Sequence, residues 1–84
     1  MRLNLLGMWQ EIDNKLICEH QFESFAAAFS FLNDVAALAE EFNHHPTIIN
    51  KYNRVRLELT THDAGNVLTQ LDRQLAEAIE RQLK

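Results

Sequence analysis

The sequence lacks the features that mark secreted or membrane-spanning proteins. It has one cysteine, Cys18, so no disulfide can form within the chain. No apolar run approaches the roughly 18 residues of a membrane-spanning helix, and the leucines near the start are cut off by Gly7. That opening run is also too short for a signal peptide. These absences predict a soluble, cytoplasmic protein with no membrane partner.

Positive charge is also scarce. Lys and Arg number 8 against 12 Asp and Glu, which gives a net charge of -4. A nucleic-acid phosphate backbone is bound by a basic surface that this composition does not supply. We therefore expect no nucleic-acid partner.

The chain is short as well as acidic. Its 84 residues suffice for one hydrophobic core, so we predict a single domain over residues 1–84. Domains of this size often gain stability by association. We expect a homodimer or homotetramer.

The apolar pattern predicts two β-hairpins. Two stretches of strand length flank the turn-forming cluster Asp13-Asn14-Lys15. After Pro46, a short strand at 47–49 precedes a period-two alternation over 54–60, and the hairpin between them closes around Asn50 to Asn53.

Two helices are predicted from their caps and apolar stripes. Ser24 is a good N-cap for a helix that ends near Asn43, because Pro46 disfavours helical geometry before it. The residues expected on its buried stripe are Phe25, Ala28, Phe29, Leu32, Val35, Ala36 and Ala39. Thr69 caps a final helix whose expected stripe is Leu71, Leu75, Ala76, Ile79 and Leu83. The order β-β-α-β-β-α predicts an α+β two-layer sandwich, a four-stranded antiparallel sheet with both helices on one face.

Three of the four histidines, His44, His45 and His62, fall where regular structure is interrupted rather than on apolar faces. Imidazole, with an unperturbed pKa of about 6.5, suits general acid-base chemistry near neutrality. Two alternatives stay open for these side chains: a polar helix end that caps carbonyls, and a metal site. Adjacent helical histidines diverge by roughly 100°, which makes joint chelation awkward, and we expect no metal. His20 is expected at the surface and Cys18 in the core or at an edge.

Polar and special residues also stand at a fixed spacing. The set comprises Glu40, His44-His45-Pro46, Tyr52, His62 and Asp72. In this set, and in the segments at 22–29, 61–65 and 71–76, the chain resembles the pterin-4a-carbinolamine dehydratase family. The resemblance extends from about Trp9 onward.

The resemblance implies an activity and a set of site residues. The activity is that of a 4a-hydroxytetrahydrobiopterin dehydratase, a hydro-lyase that converts 4a-hydroxytetrahydropterin to quinonoid dihydropterin without a metal or organic cofactor. It would recycle the pterin used by an aromatic amino-acid hydroxylase. The implied catalytic residues are His44, His45 and His62, with His44 and His62 as the acid-base pair and His45 orienting the substrate. The implied substrate-binding residues are Glu40, His45, Pro46, Thr47, Ile48 and Thr61.

Two further residues have supporting roles in this interpretation. Tyr52 is expected in the turn that shapes the pocket wall. Asp72 is assigned mainly to a capping box with Thr69, with support of the catalytic residues as the alternative.

The chain departs from the family pattern in two places. Thr47 and Ile48 stand where family members often have an acidic and then an aromatic residue, and Asn66 stands where a second glycine is expected after Gly65. Some relatives act as dimerisation partners of a homeodomain transcription factor or as assembly helpers. A non-catalytic interaction protein is therefore the second function class, and the intact histidine set favours the enzyme.

Overall fold

The computed structural model describes residues 8–83, and its elements follow the predicted order. The apolar run that ends at Gly7 lies outside the described residues. The strands and helices are β1 (Trp9–Ile12), β2 (Lys15–Gln21), α1 (Phe25–Phe42), β3 (Thr47–Lys51), β4 (Arg54–Leu59) and α2 (Gln70–Arg81). A short 3-10 turn, His62–Ala64, lies between β4 and α2. None of the described helices is both long and apolar enough to cross a membrane.

The four strands form one antiparallel sheet in the order β1-β2-β4-β3. The β1–β2 turn has Asp13 and Asn14 at φ values of 51° and 62°, the left-handed conformation that tight hairpin turns require. The β3–β4 turn has Tyr52 at φ 53°. There the side-chain amide of Asn50 donates to the carbonyl oxygens of Tyr52 and Arg54 at 3.1 and 2.9 Å, which braces the turn.

One face of the sheet builds the core with both helices. The register sets Cys18 between Trp9 on β1 and Leu57 on β4, so these three side chains share a face. They belong to the same cluster as the buried residues of α1 and α2, which confirms the predicted two-layer α+β sandwich. Burial, together with the charges of Glu19 and Glu80, raises the pKa of the Cys18 thiol to about 12. This thiol is therefore a core residue and not a nucleophile.

The other face of the sheet is polar. Arg56 on β4 donates to Glu19 at 3.1 Å and to Glu58 at 2.9 Å, and Lys15 lies 3.5 Å from Glu58. These contacts link β2 to β4 on the side away from the core. Both described helices pack on the opposite side, so neither of them covers this face within residues 8–83.

The stripe predicted for α1 is wrong at three positions. Phe25 and Phe29 are 47% and 46% exposed, and Ala36 is also exposed. Phe31, which was not on the predicted stripe, is buried. The reason is that apolar residues cover a wide arc of this helix, and contact with α2 and β4 buries only one side of that arc.

The N-cap of α1 offers a test of the local structure. The Ser24 hydroxyl accepts a hydrogen bond from the Ala27 backbone N–H at 3.0 Å. We expect Ser24→Ala to lower the free energy of unfolding by about 1 kcal/mol, because a helical N–H loses its partner. Ser30→Ala, at an exposed position within the same helix, is the matched control and should be neutral or slightly stabilising. Urea denaturation measures both, and equal effects would contradict the capping role.

Candidate functional site

Two adjacent histidines directly follow the end of α1. The helix terminates at Asn43, which adopts the left-handed conformation with φ 51°. Asparagine tolerates that conformation, and the turn brings the His44 backbone N–H to the Ala39 carbonyl oxygen at 3.0 Å. The sequence thereby places His44 and His45 at the point where the chain stops being helical and turns toward β3.

His44 is held by a buried carboxylate. Its Nε2 lies 2.5 Å from Oδ1 of Asp72, which is fully buried at the start of α2. The other carboxylate oxygen accepts hydrogen bonds from the Thr61 hydroxyl at 2.6 Å and the Thr69 backbone N–H at 3.0 Å. One side chain thus joins the end of α1, the segment after β4 and the first turn of α2.

These hydrogen bonds keep Asp72 ionised. Burial alone would raise its pKa, but hydrogen bonds from Thr61, His44 and the Thr69 backbone outweigh burial and lower the pKa below that of an ordinary aspartate. An ionised carboxylate only accepts hydrogen bonds, so Nε2 of His44 carries the hydrogen between them. Nδ1 is thus the ring nitrogen of His44 that is not bound to Asp72.

His45 has a carboxylate partner of its own. Its Nε2 lies 2.6 Å from Oε2 of Glu40, in the last turn of α1. Both side chains are exposed, His45 by 57% and Glu40 by 79%. The pair therefore lies where a ligand from solvent can reach it, whereas the His44 side chain is 10% exposed and Asp72 is buried.

The third histidine lies in the turn after β4. Thr61 pairs with Val67 as an isolated bridge, and the chain between them folds back on itself. His62 is exposed, and its Nδ1 lies 3.0 Å from Oδ1 of Asn66. Because Thr61 is bonded to Asp72, this turn is anchored to the same carboxylate that holds His44.

The remaining predicted site residues divide into two groups. Pro46, Thr47 and Ile48 continue directly from His45 into β3, and Thr47 and Ile48 are exposed. Tyr52, in contrast, lies in the turn at the far end of β3, roughly 15 Å from its start, and is 66% exposed. The structure leaves Tyr52 apart from the histidines.

The sequence pattern did not identify two of the polar partners. The Thr69 hydroxyl contacts that of Thr61 at 2.6 Å, which adds Thr69 to the group around Asp72. Its spacing to Asp72 had indicated only a helix cap. Asn66 was noted as a departure from the family pattern, and its contact with His62 depends on a turn that the sequence does not specify in detail.

A groove of about 340 Å³ lies elsewhere, at the end of the sheet where Lys51 pairs with Arg54. Its lining includes His20, Ile49, Lys51 and Arg54, and it contains none of the predicted site residues. Within residues 8–83, no three His, Cys, Asp or Glu side chains converge as a metal-ligand group.

The relatives that a comparison with known proteins identifies agree with one another in their names. The family model described as "Pterin 4 alpha carbinolamine dehydratase" matches residues 1–82. A protein of Synechococcus sp. (strain WH7803), named as a candidate pterin-4-alpha-carbinolamine dehydratase, is 49% identical over 77 residues, covering 92% of this chain and 82% of that protein. A protein of the same name from Prochlorococcus marinus (strain NATL2A) is 51% identical over 71 residues, covering 83% and 74%.

Two solved structures are similar as well. A transcriptional coactivator/pterin dehydratase from Brucella melitensis superposes with a TM-score of 0.85 at 36% identity, covering 90% of this chain and 82% of that one. A pterin dehydratase-like protein identified as a RuBisCO assembly factor in the alpha-carboxysome gives a TM-score of 0.70 at 27% identity, covering 87% and 83%.

The buried carboxylate predicts a distinct pH dependence of stability. We expect Asp72→Asn to lower the free energy of unfolding at pH 7 by about 1 to 3 kcal/mol, because hydrogen bonds to a buried charged group are lost. The folded-state pKa of Asp72 is lowered, so its stabilising contribution is complete above the unfolded pKa of about 3.9. It is lost as the pH falls through the folded value.

The measurement is denaturant unfolding of wild type and variant from pH 7 down to pH 3. The difference between them should stay constant above about pH 4 to 5 and narrow below it. Asp34→Asn, on the exposed side of α1, is the control and should change stability little. A difference that grows as the pH falls would contradict the assignment.

Proposed function

The chain belongs to the pterin 4 alpha carbinolamine dehydratase family, and from this we propose that it dehydrates 4a-hydroxytetrahydropterin to quinonoid dihydropterin. The observation that supports catalysis most directly is the pairing of adjacent histidines with separate carboxylates. His44 is paired with Asp72 and His45 with Glu40. Carboxylate partners fix the orientation and hydrogen position of imidazoles that transfer protons.

The reaction requires two proton transfers. One proton goes to the departing 4a-hydroxyl as its carbon–oxygen bond breaks and water forms, and another leaves a ring nitrogen as the quinonoid double bond forms. The net change is the loss of one water molecule. Imidazoles can perform both steps near neutral pH, because they gain and lose protons in that range.

We assign the proton transfers to His44 and His62. With Nε2 of His44 bound to Asp72, the transfer uses Nδ1. His45 orients the pterin at the exposed rim, and Glu40 holds His45 in place. Water in a solvent-accessible site restores the starting protonation states after product leaves.

The substrate surface that we propose continues along the chain from His45. Pro46, Thr47 and Ile48 form one wall, and Ile48, which is 44% exposed, offers apolar area to the flat pterin ring. Thr61 forms part of the other wall, although its hydroxyl is engaged with Asp72. Tyr52 supports the β3–β4 turn rather than the substrate.

We further propose the setting of the reaction. The protein acts in the cytoplasm as a homodimer or homotetramer, without a metal or organic cofactor, and serves an aromatic amino-acid hydroxylase. Association is supported by Ile49 on the exposed edge strand β3 and by the exposed Phe25 and Phe29 on α1. Exposed edge strands and clustered apolar side chains favour association between chains.

The second candidate is a non-catalytic assembly partner. It is favoured by the likeness to the pterin dehydratase-like protein that is identified as a RuBisCO assembly factor. A scaffold does not require two imidazole–carboxylate pairs at one helix end. The direct assay of dehydratase activity therefore separates the two candidates.

The first functional prediction concerns turnover. The purified protein should accelerate dehydration of 4a-hydroxytetrahydropterin above the buffer rate. His44→Ala and His62→Ala should each lower kcat by about 10²-fold or more, since each removes a proton-transfer group. His20→Ala is the matched control, because His20 is also an exposed histidine and lies outside the motif.

The assay monitors quinonoid formation by stopped-flow absorbance, with circular dichroism to check that each variant folds. A folded wild-type protein that leaves the buffer rate unchanged would exclude the enzyme and favour the assembly partner. Wild-type rates in the His44→Ala/His62→Ala double variant would overturn the residue assignment.

A further prediction separates imidazole acid-base chemistry from metal chemistry. Dialysis against a strong chelator should leave the turnover rate unchanged, and elemental analysis should find no stoichiometric metal. If histidines were metal ligands, removing the ion would abolish activity or unfold a domain of this size. Activity lost on chelation and restored by zinc would therefore contradict the proposal.

A further inference from the structure

Asn66 and His62 form a contact in the turn after β4 that lies next to a proposed proton-transfer group. Oδ1 of Asn66 lies 3.0 Å from Nδ1 of His62. We propose that Asn66 is a positioning residue that holds His62 in the Nδ1–H form and leaves Nε2 as the proton acceptor of the reaction. This inference rests on the proposed dehydratase function and adds a direction to its proton transfers.

The backbone of the turn brings the two side chains together. Gly65 and Asn66 both adopt the left-handed conformation, at φ values of 90° and 62°. The turn is closed by hydrogen bonds from the Gly65 N–H to the His62 carbonyl oxygen at 3.0 Å and from the Asn66 N–H to the Thr61 carbonyl oxygen at 3.1 Å. Asparagine is among the few residues besides glycine that adopt this conformation readily, and it also carries an amide oxygen.

The histidines are therefore held through different nitrogens. His44 and His45 each donate from Nε2 to a carboxylate, whereas His62 is held through Nδ1 by an uncharged amide. A carboxylate stabilises the positively charged imidazolium strongly, and an amide oxygen does so much less. The contrast suits His44 to the role of acid and His62 to the role of base.

This division gives each proton a path. Nδ1 of His44 delivers a proton to the departing hydroxyl, which leaves as water. Nε2 of His62 takes the proton from the ring nitrogen as the quinonoid double bond forms. The imidazolium of His62 then loses that proton to solvent, since the side chain is exposed.

The opposite arrangement of the amide makes a different prediction. If the Asn66 NH₂ group donated to a bare Nδ1, His62 would carry its hydrogen on Nε2 and could not accept a proton there. Nitrogen chemical shifts of the imidazole distinguish the two tautomers. The experiment therefore uses ¹⁵N-histidine NMR on the full chain without substrate, above the pH at which the histidines are protonated.

We expect the wild-type protein to show His62 as Nδ1–H. Asn66→Gly should shift His62 toward the Nε2–H form that free neutral imidazole prefers, because the acceptor oxygen is gone. Asn66→Asp should keep the Nδ1–H form, since an oxygen acceptor is retained. His20, an exposed histidine elsewhere on the sheet, should be unchanged in all three proteins. Nε2–H in wild type, or no change in Asn66→Gly, would overturn the proposal.

Kinetics test the consequence for catalysis. Glycine fits the φ of 62° at this position, so Asn66→Gly should keep the turn and the thermal unfolding midpoint. We expect Asn66→Gly to lower kcat about 10-fold, with KM within about 2-fold, because the imidazole stays present but its base nitrogen is mostly blocked. Asn66→Asp should recover most of the lost kcat only at a pH high enough to leave His62 neutral, because the new carboxylate also stabilises its imidazolium.

The two readouts separate the possible failures. Unchanged kcat in Asn66→Gly, measured in an active wild-type background, would overturn the positioning role. Absence of dehydratase activity in every protein would instead refute the proposed function, while the tautomer measurement would still decide whether Asn66 fixes His62.

Discussion

A carboxylate that is removed from water needs hydrogen-bond donors for its oxygens, and in this fold that requirement applies to Asp72. The side chain is fully buried, yet it accepts hydrogen bonds from His44, Thr61 and the Thr69 backbone. These donors come from the end of α1, the segment after β4 and the start of α2. Satisfying one buried charge therefore fixes the relative positions of three parts of the chain, and the catalytic arrangement that we propose depends on those positions.

The same carboxylate serves stability and proposed chemistry together. As the third residue of α2 it accepts from the backbone N–H of the N-cap, and as the partner of His44 it fixes which ring nitrogen carries the hydrogen. The pair of His45 and Glu40 repeats the imidazole–carboxylate arrangement in solvent. A buried and an exposed version of one interaction thus lie side by side at the end of α1, where we propose that His44 transfers a proton and His45 contacts the substrate.

The rest of the fold holds this region at one end of the sheet. The core face of the sheet supports both helices, and the opposite face carries charged pairs centred on Arg56. Phe25 and Phe29 contact each other, with ring centroids 5.2 Å apart, yet remain about half exposed on α1. The single chain therefore buries one layer of apolar residues and leaves a second set on the helix surface.

Local chemistry determined the parts of this protein that the sequence alone could predict. Several local features depend only on neighbours within a few residues, namely the caps Ser24 and Thr69, the left-handed end of α1 at Asn43 and the two hairpin turns. The order and boundaries of the elements therefore followed from the sequence pattern. The family was indicated in a different way, by the resemblance of the histidine motif to that family. Packing against β4 and α2 decided the rotation of α1 about its own axis, which buries Phe31 and exposes Phe25. Periodicity defines an apolar arc on a helix but not which side of that arc contacts the core. The contact of His44 with Asp72 spans 28 residues and exists only after both helices have packed, so only the tertiary structure could show which nitrogen of His44 is bound to the carboxylate.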